Sequence, residues 1–240
     1  MDHPADIEKA RSYLDIQFQR PGTRRVALGP FITISRECGA GGSSLAEELR
    51  RRLDRGLDVE TPHWTVFNRN LVEKALEEQH LEPGLARYLP EDKVSEINAS
   101  VGEILGLHPS IWTLVHDTNN LMRRLAGMGH VVLVGRGANF ATSGLAHGLH
   151  LRLVGSPAQR AAHLAELRGL TREQALLHLR RTDAARRNYV KSFFQTDIDD
   201  PAVYDLVLNM DRLTITSAAD TAMAVLHSRG ELVPADTYSA

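Results

Sequence analysis

Cys38 is the only cysteine in the sequence, which excludes an internal disulfide and a zinc cage built on cysteines. That usage suits a reducing compartment, so the cytoplasm is the expected setting. Lysine is almost as scarce. Lys9, Lys74, Lys93 and Lys191 are the four present, and 24 of the 28 basic residues are therefore arginines. GC-rich coding produces such a bias with no function behind it, but arginine's planar fork also grips phosphate oxygens in pairs. A formal net charge of -2 supplies no basic excess for holding nucleic acid by bulk electrostatics. No apolar run approaches the ~20 residues that span a bilayer, and no charged-then-apolar leader opens the chain. The expectation is a soluble protein with neither a membrane nor a nucleic-acid partner.

What is present is ordinary globular material. Hydrophobic residues make up 42% and charged residues 24% of 240, enough for one large domain or a domain with an insertion. Residues 1–29 read as an N-terminal arm, with a short helical pattern at Ile7–Phe18 broken by Arg20-Pro21-Gly22-Thr23. Five short strands are predicted: Phe31–Ile34, His63–Phe67, Val131–Val134, Leu149–Val154 and Tyr204–Leu208. Helical spacing fills the intervals. It runs from Leu45 to Leu53, through 69–128 with prolines at 83, 90 and 109, through 157–191, and over 214–228 with Thr214 or Thr216 as cap. Strands alternating with helices predict an α/β fold, a mostly parallel five-stranded sheet with helices on both faces. The main domain spans 30–229, with 69–128 as an inserted helical lobe and 230–240 as a tail.

The segment with chemistry in it is Ile32-Thr33-Ile34-Ser35-Arg36-Glu37-Cys38-Gly39-Ala40-Gly41-Gly42-Ser43-Ser44-Leu45. A strand, a glycine turn and a helix bring several backbone N–H groups to a helix N-terminus, where the dipole also favours anions. Glycine lets the backbone curl around phosphate oxygens without Cβ clashes. The amides of Gly39, Ala40, Gly41, Gly42, Ser43 and Ser44 are the candidate cradle. The hydroxyls of Ser43 and Ser44 either reach a Mg²⁺ ion or cap the helix. Arg36 leaves the strand beside the cradle. Arg136 leaves the carboxyl end of a central strand, where ligands bind in open α/β sheets; Asn139 just after it is an acceptor contact or a turn residue. Arg180, Arg181, Arg186 and Arg187 crowd a helix around Asp183, close enough to pair with it.

This stretch resembles the P-loop of cytidylate kinase, in which Ile-Thr-Ile precedes a loop ending Gly-Ala-Gly-Lys-Gly-Thr-Leu. Arg36 stands where that loop begins with glycine, and Gly42 stands where it has lysine. The form Ile-Ser-Arg-x-x-Gly-x-Gly-Gly is similar to that of the cytidylate-kinase-like proteins. Three further segments, in the same order, extend the likeness over about residues 30–225. Val134-Gly135-Arg136-Gly137 resembles the strand and Gly-Arg-Asp of the family, with Gly137 for the aspartate. Leu151-Arg152-Leu153-Val154-Gly155-Ser156-Pro157-Ala158-Gln159-Arg160 resembles its Ser-Pro-Glu-x-Arg segment. Asp183-x-x-Arg186-x-x-Tyr189 and Asp200-Pro201-x-x-Tyr204-Asp205 resemble its lid and final strand.

The resemblance implies a P-loop NTPase-like fold and phosphoryl transfer from ATP with Mg²⁺ to a nucleoside monophosphate, CMP or dCMP by default. It implies that Arg136, Arg69, Asn139 and Asp183 bind the acceptor and that the region 157–191 is a lid carrying Arg181 and Arg186. With no lysine between Lys9 and Lys74, an arginine is expected to replace the loop lysine, Arg36 first, then Arg181 or Arg186. Loss of that lysine equally allows a non-catalytic nucleotide-binding regulator, and a kinase for another small phosphorylated substrate is the third reading.

Overall fold

The computed structural model describes residues 29–55, 57, 63–68 and 111–232. Most of the arm, Arg69, the greater part of the 69–128 stretch and the end of the tail lie outside the described residues. Strand β1 (Phe31–Arg36) leads through the glycine turn into helix α1 (Gly42–Leu53). Then follow β2 (Thr65–Phe67), α2 (Ile111–Met128), β3 (Val131–Val134) and the short α3 (Ala138–Thr142). The chain continues through β4 (Gly148–Val154), α4 (Pro157–Arg168), α5 (Arg172–Phe194), β5 (Leu206–Asn209) and α6 (Ile215–Ser228). The strands form one parallel sheet in the order β2-β3-β1-β4-β5.

Both faces of the sheet are covered, which is why its strands read as apolar runs and not as alternating ones. Ile32, Ile34, Val132, Val134, Leu149, Leu151 and Leu153 pack against Leu45 and Leu49 of α1 and Ala218 and Ala222 of α6. On the other face Phe31, Val131, Leu133 and Phe67 meet Leu121, Met122 and Leu125 of α2 and Ala138 and Ala141 of α3. Side chains alternate across a strand, so one β1 serves both layers.

Several boundaries differ from the sequence expectation, each for a local reason. β1 runs on to Arg36 because β4 continues to pair with it, up to Arg36 opposite Leu153. The two apolar groups after Pro109 belong to a single helix, α2, whose Leu121, Met122 and Leu125 pack against the sheet. The region 157–191 is two helices. Gly169 ends α4 in the left-handed region at φ 65°, and Thr171 restarts the chain with a capping box to Gln174. β5 begins at Leu206, after a 3-10 turn at Pro201–Val203. Thr214 caps α6, its Oγ1 accepting from the Ser217 amide at 3.1 Å.

The chain steps outward from β1 to β2, returns to β3 beside β1, then crosses to β4 on the other side. The carboxyl ends of β1, β3 and β4 therefore flank the point where strand order reverses, the position at which open α/β sheets bind ligands.

Candidate functional site

Two glycines of the loop between β1 and α1, Gly39 and Gly41, adopt φ of 79° and 83°, conformations that L side chains rarely take. At Gly39 space is also closed, since a Cβ would stand 2.5 Å from the Arg160 carbonyl oxygen. Gly41 is the N-cap of α1 and brings no side chain over the helix end. The first-turn amides of a helix have no partner within it, so the α1 terminus presents N–H groups to whatever sits in the loop.

The carbonyl groups of the loop are drawn the other way. Arg186 Nη1 donates to the Arg36 carbonyl at 2.9 Å, Arg160 Nη1 to that of Cys38 at 3.0 Å, and His163 Nδ1 to that of Gly39 at 2.8 Å. A carbonyl only accepts, so the His163 bond fixes its Nδ1–H form. Asp183 completes the brace. One of its carboxylate oxygens accepts from the Cys38 amide at 2.7 Å, the other from Arg160 Nη1 at 2.7 Å, in surroundings that leave both side chains about a tenth exposed or less. Arg160 Nε also donates to the Gly155 carbonyl at 2.8 Å, and the Gly155 amide donates to Glu37 Oε2 at 2.9 Å. Helices α4 and α5 thus hold the loop by the carbonyls of Arg36, Cys38 and Gly39 and by the amide of Cys38.

Arg36 and Gly42 are in contact. A Cβ on Gly42 would lie 3.0 Å from Arg36 Cγ and 3.2 Å from its Cδ. The arginine stem therefore lies over the position at which the resembled loop carries its lysine, and a Cβ there would press the stem back by a few tenths of an ångström.

Arg136 follows β3, and its guanidinium carbon lies over the Tyr189 ring, 4.3 Å from the ring centre. Burial pushes the Tyr189 phenol above its ordinary range and the neighbouring Arg136 charge opposes that shift, so the phenol stays neutral at working pH. Asn139 is buried at the start of α3, its Nδ2 donating to the Val203 carbonyl at 3.4 Å. Beneath the loop a buried polar array joins β1 to β4. Arg152 Nη1 donates to Ser35 Oγ at 3.0 Å, Arg152 Nη2 to Asp199 Oδ1 at 2.7 Å, and the Tyr204 hydroxyl to the Ile198 carbonyl at 2.8 Å. Burial also raises the Tyr204 phenol, against the lowering effect of its hydrogen bond to Ser35.

The structure thus gathers Arg36, the 39–44 loop, Asp183 and Arg186 at one end of the sheet, with Arg136 and Asn139 beside them on β3 and α3. Asp183 and Arg186, expected at an acceptor or on a moving lid, are buried and bonded to the loop itself. Arg181 is exposed. At ~100° per residue it sits ~200° round α5 from Asp183, on the face turned away from the loop. Arg160, His163, Ser35, Arg152 and Tyr204 were not singled out as site residues from sequence. For Arg160 the Ser-Pro-x-x-Arg spacing was a usable signal; for the others only the pairing of β1 with β4 reveals the association.

Mg²⁺ keeps several waters and takes few protein ligands besides phosphate oxygens. Ser43 and Ser44 are exposed in the first turn of α1, and a hydroxyl at that place fits such a role. Among the described residues no group of three His, Cys, Asp or Glu is arranged to hold a metal by itself. Among them, too, no helix is long and apolar enough to cross a membrane.

Sheet order, glycine loop and helix terminus define an α/β protein of the P-loop type. The chain belongs to the cytidylate kinase-like family, whose match covers residues 31–212. Among solved structures, an uncharacterized protein from Eubacterium ventriosum is similar in fold, with a TM-score of 0.62 at 17% identity, over 83% of this chain and 99% of that one. A shikimate kinase from Bacteroides thetaiotaomicron matches at 15% identity and TM-score 0.44, over 85% of this chain and 99% of that one. A gluconokinase from Sinorhizobium meliloti matches at 15% identity and TM-score 0.48, over 87% and 96%. Among curated proteins none is similar enough in sequence to match.

Proposed function

We propose that this chain transfers the terminal phosphoryl group of ATP, with Mg²⁺, to a nucleoside monophosphate, CMP or dCMP being the first acceptors to test. The observation that carries this reading is the contact of the Arg36 stem with Gly42, which supports that permanently charged residue as the stand-in for the lysine of the cytidylate kinase loop. A loop that only had to hold a nucleotide has no need of that exchange.

In this scheme the amides of Gly39 and of Gly41 to Ser44 hold the donor phosphates, the Ala40 amide being bonded to the Glu37 carbonyl at 3.2 Å, and a hydroxyl of Ser43 or Ser44 would hold a Mg²⁺ ion that screens the phosphate charge. Arg136 grips the acceptor phosphate, with Arg69 and Asn139 as further acceptor contacts. An acceptor phosphate oxygen attacks the γ-phosphorus, the bond to the β–γ bridging oxygen breaks, and ADP leaves with that electron pair. Such chemistry asks the protein for alignment and for positive charge where negative charge moves, and Arg36 supplies that charge. Asp183 and Arg186 act one step back by holding the loop in shape. The single cysteine supports a cytoplasmic setting.

The test is a coupled ADP-release assay with the full chain, ATP–Mg²⁺ and each nucleoside monophosphate in turn. Turnover with one of them, CMP or dCMP first, is the expected result. Tight ATP binding with no turnover on any monophosphate overturns the nucleoside monophosphate kinase reading in favour of a regulator or of a kinase for a different phosphorylated substrate.

A further inference from the structure

We infer that Tyr189 is a positioning residue for the acceptor phosphate, acting through Arg136, and that helix α5 thereby references donor loop and acceptor arginine to one rigid rod. The inference rests on the proposed phosphoryl transfer and adds the part that orients its acceptor.

Three residues on α5 carry it. Asp183, Arg186 and Tyr189 recur every three positions and so share one stripe of the helix. The first two bond the loop at the Cys38 amide and the Arg36 carbonyl. The third lies under the Arg136 guanidinium at 4.3 Å, six residues or ~9 Å further along the axis. The two phosphate-facing parts of the site, which come from different strands, thus meet a common surface.

The stack also accounts for Gly137. Its φ is 78°, and a Cβ there would stand 2.6 Å from Phe194 Cε2 and 3.3 Å from Tyr189 Cε1. The aromatic end of α5 presses against the turn that carries Arg136, and a side chain at 137 would push it off. Where the resembled motif has a carboxylate next to its arginine, this chain has a ring face beneath it. The ring holds the cation by the attraction of its π face, which fixes where the guanidinium carbon sits. Tyr189 is itself fixed by packing, 5% exposed, with the Phe193 ring centre at 4.9 Å and Ile198 in the same cluster.

The experiment compares Tyr189→Phe, Tyr189→Leu and Val190→Ala with the wild type, using the monophosphate that turns over best and a non-hydrolysable ATP analogue. Tyr189→Phe keeps the ring face and retains the wild-type KM for the acceptor. Tyr189→Leu raises that KM roughly three- to thirty-fold, the range of a cation–π contact between exposed and desolvated settings, while the Kd of the ATP analogue stays within about twofold. Val190→Ala empties part of the same cluster without touching the stack, so it lowers the melting temperature and leaves the acceptor KM in place. Equal KM for Tyr189→Leu and Val190→Ala in an active enzyme overturns the positioning role and leaves the proposed reaction standing. A wild type that turns over no monophosphate overturns both.

Discussion

Replacing Gly42 with alanine should make the protein more stable and less active. Gly42 opens α1 with no left-handed backbone requirement, and alanine in place of glycine inside a helix is favourable by roughly 0.5–1 kcal/mol. The new Cβ would meet Arg36 Cγ at 3.0 Å and Cδ at 3.2 Å, against an ordinary carbon–carbon separation of about 3.5–4.0 Å. The Arg36 stem must give by a few tenths of an ångström at Cγ and Cδ, and a shift there is carried outward to the guanidinium at its end. Arginines that neutralise a transferring phosphoryl group contribute roughly 10³–10⁵ in rate. Displacement without deletion forfeits part of this, and we expect kcat to fall at least tenfold, about 1.4 kcal/mol of transition-state stabilisation. ATP-analogue affinity should change less than threefold, because the loop amides are untouched. Arg36→Ala should fall further in kcat, and the double variant should be no worse than Arg36→Ala alone, since both changes act on one group. Calorimetric melting, analogue binding and coupled turnover on the four proteins measure all of this. Wild-type kcat in a folded Gly42→Ala, or strictly additive losses in the double variant, would refute the link between the two residues.

Two further outcomes are expected. Asp183→Asn places an amide donor against Arg160 Nη1 and leaves a buried cation poorly matched, at about 3–5 kcal/mol of stability; thermal unfolding should show the loss, with ATP-analogue affinity weakened along with it, and an unchanged melting temperature would count against the brace. Burial holds His150 and His130 below the ordinary histidine range, with Asp205 and Asp54 respectively opposing the shift. The unfolded chain then binds more protons than the folded one, so stability is full above the unfolded pKa of about 6.5 and is lost as pH falls below it. His150→Gln should flatten the fall in melting temperature between pH 7.5 and 5.5, and an unaltered slope would remove His150 as a contributor.

The sheet was legible because its strands are short, apolar and bounded by glycine or proline, and the loop because glycine spacing after a strand has few other uses. The division of labour among the arginines was not. Arg36, Arg181 and Arg186 look alike in sequence, yet one lies over the loop, one faces away from it, and one is buried beneath it. What separates them is the rotation of α5 against the loop, which depends on which turn of the helix the Cys38 amide meets. Asp183 was read with the acceptor for the same reason, since a carboxylate near arginines carries no mark of whether its partner is a ligand or a backbone amide 145 residues away. Boundaries differ where a tertiary contact extends a strand, as at Arg36 opposite Leu153, and where local caps divide a helical stretch, as at Gly169 and Thr171.

The position of β1 in the sheet also sets a timetable for folding. Its neighbours, β3 and β4, come late in the chain; Thr33 meets its hydrogen-bond partner His150 117 residues downstream. The central strand therefore has no lateral partner until most of the domain has been synthesised, and its pairings close large loops, the kind of contact that slows folding. During translation the first strand and the phosphate loop emerge together and wait, with Phe31, Ile32 and Ile34 uncovered. β3 gives β1 its first lateral partner and β4 covers its other edge, so truncations ending before Gly148 should leave that edge of an apolar strand open to aggregation.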